Sequence, residues 1–175
     1  MPIIPDTKDW TWVLSRPCTE CGFDARSVTL SEVGDYARAN AGIWADVLER
    51  ADVRQRPDDN TWSPLEYACH VRDVHTLFAE RLVLTMTQND PVFPDWNQDE
   101  AAVAGRYAEQ DPSLVLRDLT DAAFAAAEAF DGVPDSVADR TGKRGDGAPF
   151  TIETLGQYYV HDLVHHAWDV THDRD

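Results

Sequence analysis

Residues 156–170, Gly156-Gln-Tyr-Tyr-Val-His161-Asp-Leu-Val-His165-His-Ala-Trp-Asp-Val170, decide how this chain folds. With Ile152 just upstream, Tyr159, Val160, Leu163, Val164 and Ala167 recur at the three-to-four spacing of a helix and form a broad apolar arc. Thr151 is placed to cap this helix, which is expected to run to about Thr171. His161, His165, Trp168 and His172 project together from the edge of the arc. Two imidazoles four residues apart lie about one turn apart along the axis and point the same way. Such a pair can hold two corners of a metal polyhedron, and a ligand from a facing helix would leave a position open for water or substrate.

Working outward, Ser63-Pro64-Leu65-Glu66 has the spacing of a capping box with proline at the first helical position, and Trp62 is placed as a hydrophobic staple. The helix it opens should continue to about Gln88, with Tyr67, Val71, Val74, Phe78 and Leu82 as its apolar stripe. His70 falls on the flank of that stripe, beside Leu77, and His75 on the opposite flank. Thr29 and Glu32 form another capping box, opening a first helix to roughly Arg54 with Val33, Ile43, Trp44, Val47 and Leu48 inward. Asp111-Pro112 opens a third, carrying Leu114, Val115, Leu119, Phe124 and Phe130, and a short helix precedes it near residues 99–109. The Gly/Pro/Asp-rich stretch from Asp131 to Pro149 reads as a loop. No alternating strand pattern of useful length appears. The expectation is an all-α antiparallel four-helix bundle over residues 28–175, preceded by an irregular N-terminal extension over residues 1–27.

A chain of 175 residues, 43% hydrophobic, can bury a core without staples and is not generally disordered. Its formal charge of −17 argues against nucleic-acid phosphates and anionic membrane surfaces as partners. No secretory signal pattern and no membrane-length apolar run is present, so a soluble cytoplasmic protein with a small-molecule substrate is expected. Three cysteines do not make a disulfide framework.

Helical geometry permits a three-histidine site from His70, His161 and His165, but an HxxxH spacing also arises by chance among packed core histidines. His75 and His166 read as structural or solvated. Cys18-Thr-Glu-Cys21-Gly22 resembles half of a zinc knuckle without its other half. Two readings of it stand: a two-cysteine, two-histidine site completed by distant residues, or reduced thiols in a turn packed on the bundle. Cys69 points about 100° away from His70 and reads as core.

Three segments together resemble the DinB/YfiT-like superfamily of four-helix metalloproteins, which includes thiol-dependent S-transferases and mycothiol-dependent maleylpyruvate isomerases. They are Trp62-Ser-Pro-Leu-Glu66 leading into His70, Asp95-Trp-Asn-Gln-Asp-Glu100, and His161-Asp-Leu-Val-His165-His-Ala-Trp-Asp169. The resemblance covers about residues 28–171. It implies one divalent metal, zinc or nickel foremost, held by His70, His161 and His165, with a low-molecular-weight thiol as cosubstrate. The isomerase branch has a glutamate ligand where this alignment puts His161, which separates the chain from the isomerase reaction. Three neutral imidazoles would leave the ion's double charge unneutralised and acidify a bound water or thiol. Asp73 and Asp169 are candidate carboxylates for orienting the imidazoles, and Trp96, Tyr158 and Trp168 for walling the pocket. The resemblance is compatible with a homodimer. The function classes that follow are a metal-dependent thiol transferase, a metal-dependent hydrolase, and a non-catalytic metal-binding stress-response module.

Overall fold

The computed structural model describes residues 9–172; residues 1–8 of the expected extension and 173–175 of the expected domain lie outside them. Five α-helices account for most of the described chain: α1 (Val33–Leu48), α2 (Pro64–Thr87), α3 (Gln98–Ala104), α4 (Pro112–Asp131) and α5 (Ile152–Thr171). Each long helix begins where its capping residues stand. At α2 the Ser63 hydroxyl accepts from the Glu66 amide at 3.3 Å, and the Glu66 carboxylate accepts from the Ser63 amide at 2.9 Å. Burial would raise the Glu66 carboxyl, but Arg56 and Ser63 more than offset it and hold it below its ordinary value. Asp111 accepts from the Ser113 amide at the start of α4, and Thr151 from the Thr154 amide at the start of α5. Thr29 and Glu32 open a 3-10 turn that runs into α1.

The long helices form a four-helix bundle in which α4 and α5 each pack against both α1 and α2. Helices α1 and α2, consecutive in sequence, therefore face each other across the bundle, joined by the stretch 49–63. Tyr159 of α5 sits where α2, α4 and α5 meet, fully buried. Its ring stacks on Phe130 (centroids 5.4 Å apart) and on Phe78 (5.2 Å), and its hydroxyl is hydrogen-bonded to His75 Nδ1 at 2.5 Å. On the α1 side, the Asn40 amide donates to the Leu163 carbonyl at 2.8 Å, and the Trp44 indole donates to Asn40 Oδ1 at 3.0 Å.

Several local expectations are revised. Helix α1 stops at Leu48, short of Arg54, because the next residues make turns held from outside: Arg50 donates to the Val170 carbonyl and pairs with Asp52. Ile43, expected inward, lies on an exposed side of its helix, as do Leu114 and Phe124 on α4. The Gly/Pro/Asp-rich stretch contains an antiparallel pair, β1 (Thr141–Lys143) and β2 (Pro149–Thr151), with Gly142 opposite Phe150. Strands this short carry no alternation to read. A Cβ on Gly142 would come within 2.7 Å of the Phe93 ring, so packing there requires glycine. The N-terminal segment, with 3-10 turns at Trp10–Leu14 and Ala25–Ser27, buries Val13, Cys18 and Ala25 and packs on α5. Among the described residues, no helix is long and apolar enough to cross a membrane.

Asn40 is the buried polar link between α1 and α5. Asn40→Ala leaves the Trp44 indole without its partner and removes the side-chain bond to the Leu163 carbonyl, at a cost of about 2 kcal/mol. For a chain of this size the midpoint of thermal unfolding, followed by circular dichroism, should fall by roughly 4–8 °C.

Candidate metal centres

Helix α5 carries two chemically distinct i,i+4 pairs, interleaved along the same turns: His161 with His165, and Asp162 with His166. Successive residues on a helix are rotated by about 100°, so the two pairs look in different directions. Among the described residues, two groups bring side chains close enough to share an ion, and each uses one of these pairs.

The first group joins Asp162 and His166 to His70 of α2, with ligand atoms all within 4.8 Å of one another. His70 is 1% exposed, and neither of its ring nitrogens has a hydrogen-bond partner among the described residues. Its ring lies between Trp62 (5.2 Å), Trp96 (5.5 Å) and the perpendicular ring of His166 (4.6 Å). His70 Nε2 is 4.0 Å from Asp162 Oδ2, beyond hydrogen-bond reach. His166 is bracketed by two carboxylates: Nε2 is 3.1 Å from Asp162 Oδ1, and Nδ1 is 3.0 Å from Asp169 Oδ2. Burial, reinforced by His166, pushes the His70 imidazole down to about 3. Burial also opposes a charge on His166, but Asp162 and Asp169 outweigh it and lift that imidazole to about 10. Asp162 is held well below the usual carboxylate range: burial works against this, and His166 and then His70 overcome it.

The second group joins His161 and His165 to Cys18 and Cys21 of the N-terminal segment, again with ligand atoms within 4.8 Å of one another. Cys18 Sγ is 3.6 Å from His165 Nδ1, and Cys21 Sγ is 3.9 Å from His161 Nε2. The Trp10 ring lies over both imidazoles, with centroids 5.9 Å from His161 and 5.0 Å from His165. Cys18, His161 and His165 are buried and Cys21 is half-buried; burial pushes the Cys21 thiol up to about 11 and the His161 imidazole down to about 4.

All three expected ligands thus stand in candidate metal groups, but the trio is divided: His70 lies in one, His161 and His165 in the other. The reason is the rotation of α5, which turns its HxxxH face toward the N-terminal segment and the following residues toward α2. His166, expected to be structural or solvated, is a member of the His70 group, as is Asp162, which the reading of the sequence passed over. The signal for both was present as a carboxylate–imidazole pair at the same spacing of four. Asp169 takes the orienting position on His166, whereas Asp73 binds the Tyr107 hydroxyl and Arg72 instead. Trp96 packs on His70; Trp168 lies beside His165 and stacks on His172, and Tyr158 packs against Phe78 and Phe150. His75 is a buried partner of Tyr159, and Cys69 is core, its thiol pushed up to about 12 by burial.

The sequence profile of the DinB superfamily matches residues 35–170. The chain's fold is similar to that of YfiT from Bacillus subtilis, described as a probable metal-dependent hydrolase with an unusual four-helix bundle topology. The TM-score is 0.69 at 19% identity, covering 97% of this chain and 92% of that one. No curated protein sequence matches.

The folded pKa of His166 lies above its unfolded value, so its ion pairs stabilise the metal-free fold fully below about pH 6.5, and the contribution is lost as the pH rises through about 10. Nitrogen-15 NMR of the metal-free protein should show His166 still an imidazolium at pH 8, while His70 and His161 stay neutral down to pH 5. A neutral His166 at pH 7 would contradict the bracketing by two carboxylates.

Proposed function

This chain belongs to the DinB superfamily, and on that premise we propose that it is a metal-dependent enzyme whose divalent ion is held by His70, Asp162 and His166. The observation that carries this reading is the His70 ring, buried with both nitrogens unpaired and facing a carboxylate and a second imidazole. A buried polar group left unsatisfied costs about 1–3 kcal/mol, and an ion bound at one nitrogen would remove much of that cost. His75, by contrast, has its Nδ1 on the Tyr159 hydroxyl and only Nε2 without a partner, whereas both nitrogens of His70 are left over. The resemblance placed a histidine at a position that is glutamate in the isomerase branch; in this group the carboxylate is Asp162, one residue on.

Two imidazoles and one carboxylate are the donor set of catalytic centres that keep a position open, where an ion supplies Lewis acidity to a coordinated water or thiol. Asp169, on Nδ1 of His166, would fix that ring with Nε2 toward the ion. Because His166 carries a proton between its two carboxylates, occupation of the group requires that proton to leave, and affinity should rise with pH. Trp62, Tyr67 and Trp96 lie around His70 and His166 and would exclude bulk water from the reacting groups. For the reaction we favour transfer to a low-molecular-weight thiol, supported by the likeness of the three sequence segments to a superfamily that includes thiol-dependent transferases. Hydrolysis is the second reading, favoured by the description of YfiT.

Full-length protein purified under reducing conditions should retain a divalent metal in this group. His70→Ala should remove about one equivalent, read by elemental analysis. Asp169→Asn should weaken metal affinity roughly 10–100-fold. Metal-loaded protein incubated with a panel of thiols and electrophiles should consume thiol and electrophile together. Release of product without thiol would favour hydrolysis, and a metal-loaded protein inert in both assays would favour a non-catalytic module. Unchanged metal content in His70→Ala would remove His70 from the centre.

A further inference from the structure

We infer that Cys18, Cys21, His161 and His165 form a second, separate metal site: a closed tetrahedral centre for zinc or a similar divalent ion that clamps the N-terminal segment onto α5. In a tetrahedral site with metal–sulfur bonds of about 2.3 Å and metal–nitrogen bonds of about 2.0–2.1 Å, a sulfur and a nitrogen sit roughly 3.6 Å apart. The two measured sulfur–nitrogen separations are 3.6 Å and 3.9 Å. They come from opposite ends of the chain, 147 and 140 residues apart in sequence. Both pairs are thus near the spacing a shared ion needs, and the remaining separations, all within 4.8 Å, let the cage close by small side-chain rotations.

The surroundings are those of a built site. The Cys18–Gly22 turn folds back on itself: the Gly22 amide donates to the Cys18 carbonyl at 3.0 Å, and the Cys18 amide donates to the Phe23 carbonyl at 2.8 Å. Gly22 takes φ +75°, which an L residue adopts only with strain, and this tight turn brings both sulfurs to one side. His165 Nε2 lies 3.6 Å from Glu20 Oε2 and 3.9 Å from Asp169 Oδ2. Those carboxylates favour the proton on Nε2 and leave the Nδ1 lone pair toward Cys18. Trp10 covers both imidazoles, which restricts solvent access.

Charge separates this site from the His70 group. On binding, two thiols release their protons, and two thiolates with two neutral imidazoles balance a doubly charged ion. All four positions are filled by protein, so no position remains for substrate. The role is to hold structure: the ion replaces weak contacts between the N-terminal segment and α5 with four coordinate bonds. His161 and His165 alternate with Asp162 and His166, so the clamp also fixes the turn of α5 that presents those residues to His70.

The test uses the full-length chain under reducing conditions, its metal exchanged for cobalt(II). Wild type should show near-ultraviolet sulfur-to-cobalt charge transfer and intense visible bands of tetrahedral cobalt, both lost on adding zinc. C18S/C21S should lose the charge-transfer band, while His70→Ala should keep it. Failure of the His70 centre therefore leaves this signal intact, and failure of this inference leaves the metal lost in His70→Ala unaffected. Because the double variant can misfold, zinc-loaded wild type is also titrated with a thiol-binding mercurial, which should release about one zinc as Cys18 and Cys21 react. Absence of the charge-transfer band in wild type, or its survival in C18S/C21S, would overturn the inference.

Discussion

The rotation of α5 about its own axis is the constraint on which the rest of this structure depends. Tyr159 sets it. With its ring stacked on Phe78 of α2 and Phe130 of α4 and its hydroxyl on His75, this residue has one place to sit. Two residues later along the helix, His161 turns toward the N-terminal segment; one more, and Asp162 turns toward α2. A helix with this many polar residues bordering its core would present a different set to α2 if it rolled by one position. Asn40, reaching from α1 to the Leu163 carbonyl, braces the same turn from the other side.

The bundle topology matters for the same reason. Since α4 and α5 each pack between α1 and α2, α5 has α2 as a direct neighbour along one side. That adjacency brings His70 against Asp162 and His166, while a neighbouring edge of α5 meets the N-terminal segment. One helix therefore serves two chemically different groups. On the α2 side two imidazoles and a carboxylate gather in an aromatic enclosure; on the other, two thiols and two imidazoles gather beneath Trp10. The donor sets differ in charge and softness, the properties on which the proposed division between a reactive and a structural centre rests.

Electrostatics around His166 show how close the two groups are to each other. Asp162 and Asp169 hold a proton on His166; burial first, and then that charge, depress the imidazoles of His70 and His165. Neutral imidazoles are the form that ligates a metal, so His70, His161 and His165 are in that form near neutral pH, whereas His166 holds its proton between two carboxylates. The overall charge of −17 is consistent with cation binding but does not by itself identify a site, because most of the carboxylates are solvated.

The helices and their starting points were determined by the sequence alone, because capping boxes at Ser63 and Thr29, the Asp111-Pro112 pair and the Thr151 cap act over three or four residues. The bundle and the candidacy of His70, His161 and His165 followed from periodicity and resemblance. What the local pattern did not contain was which residues share a centre. His161 and His165 are joined to Cys18 and Cys21 across more than a hundred residues, and His70 to Asp162 and His166 across α2 and α5. A spacing of four defines a face of a helix, but two such faces interleave on α5 about 100° apart. Only the packing of Tyr159 and Asn40 decides which face meets α2 and which meets the N-terminal segment, because that choice is an angle set by contacts distant in sequence.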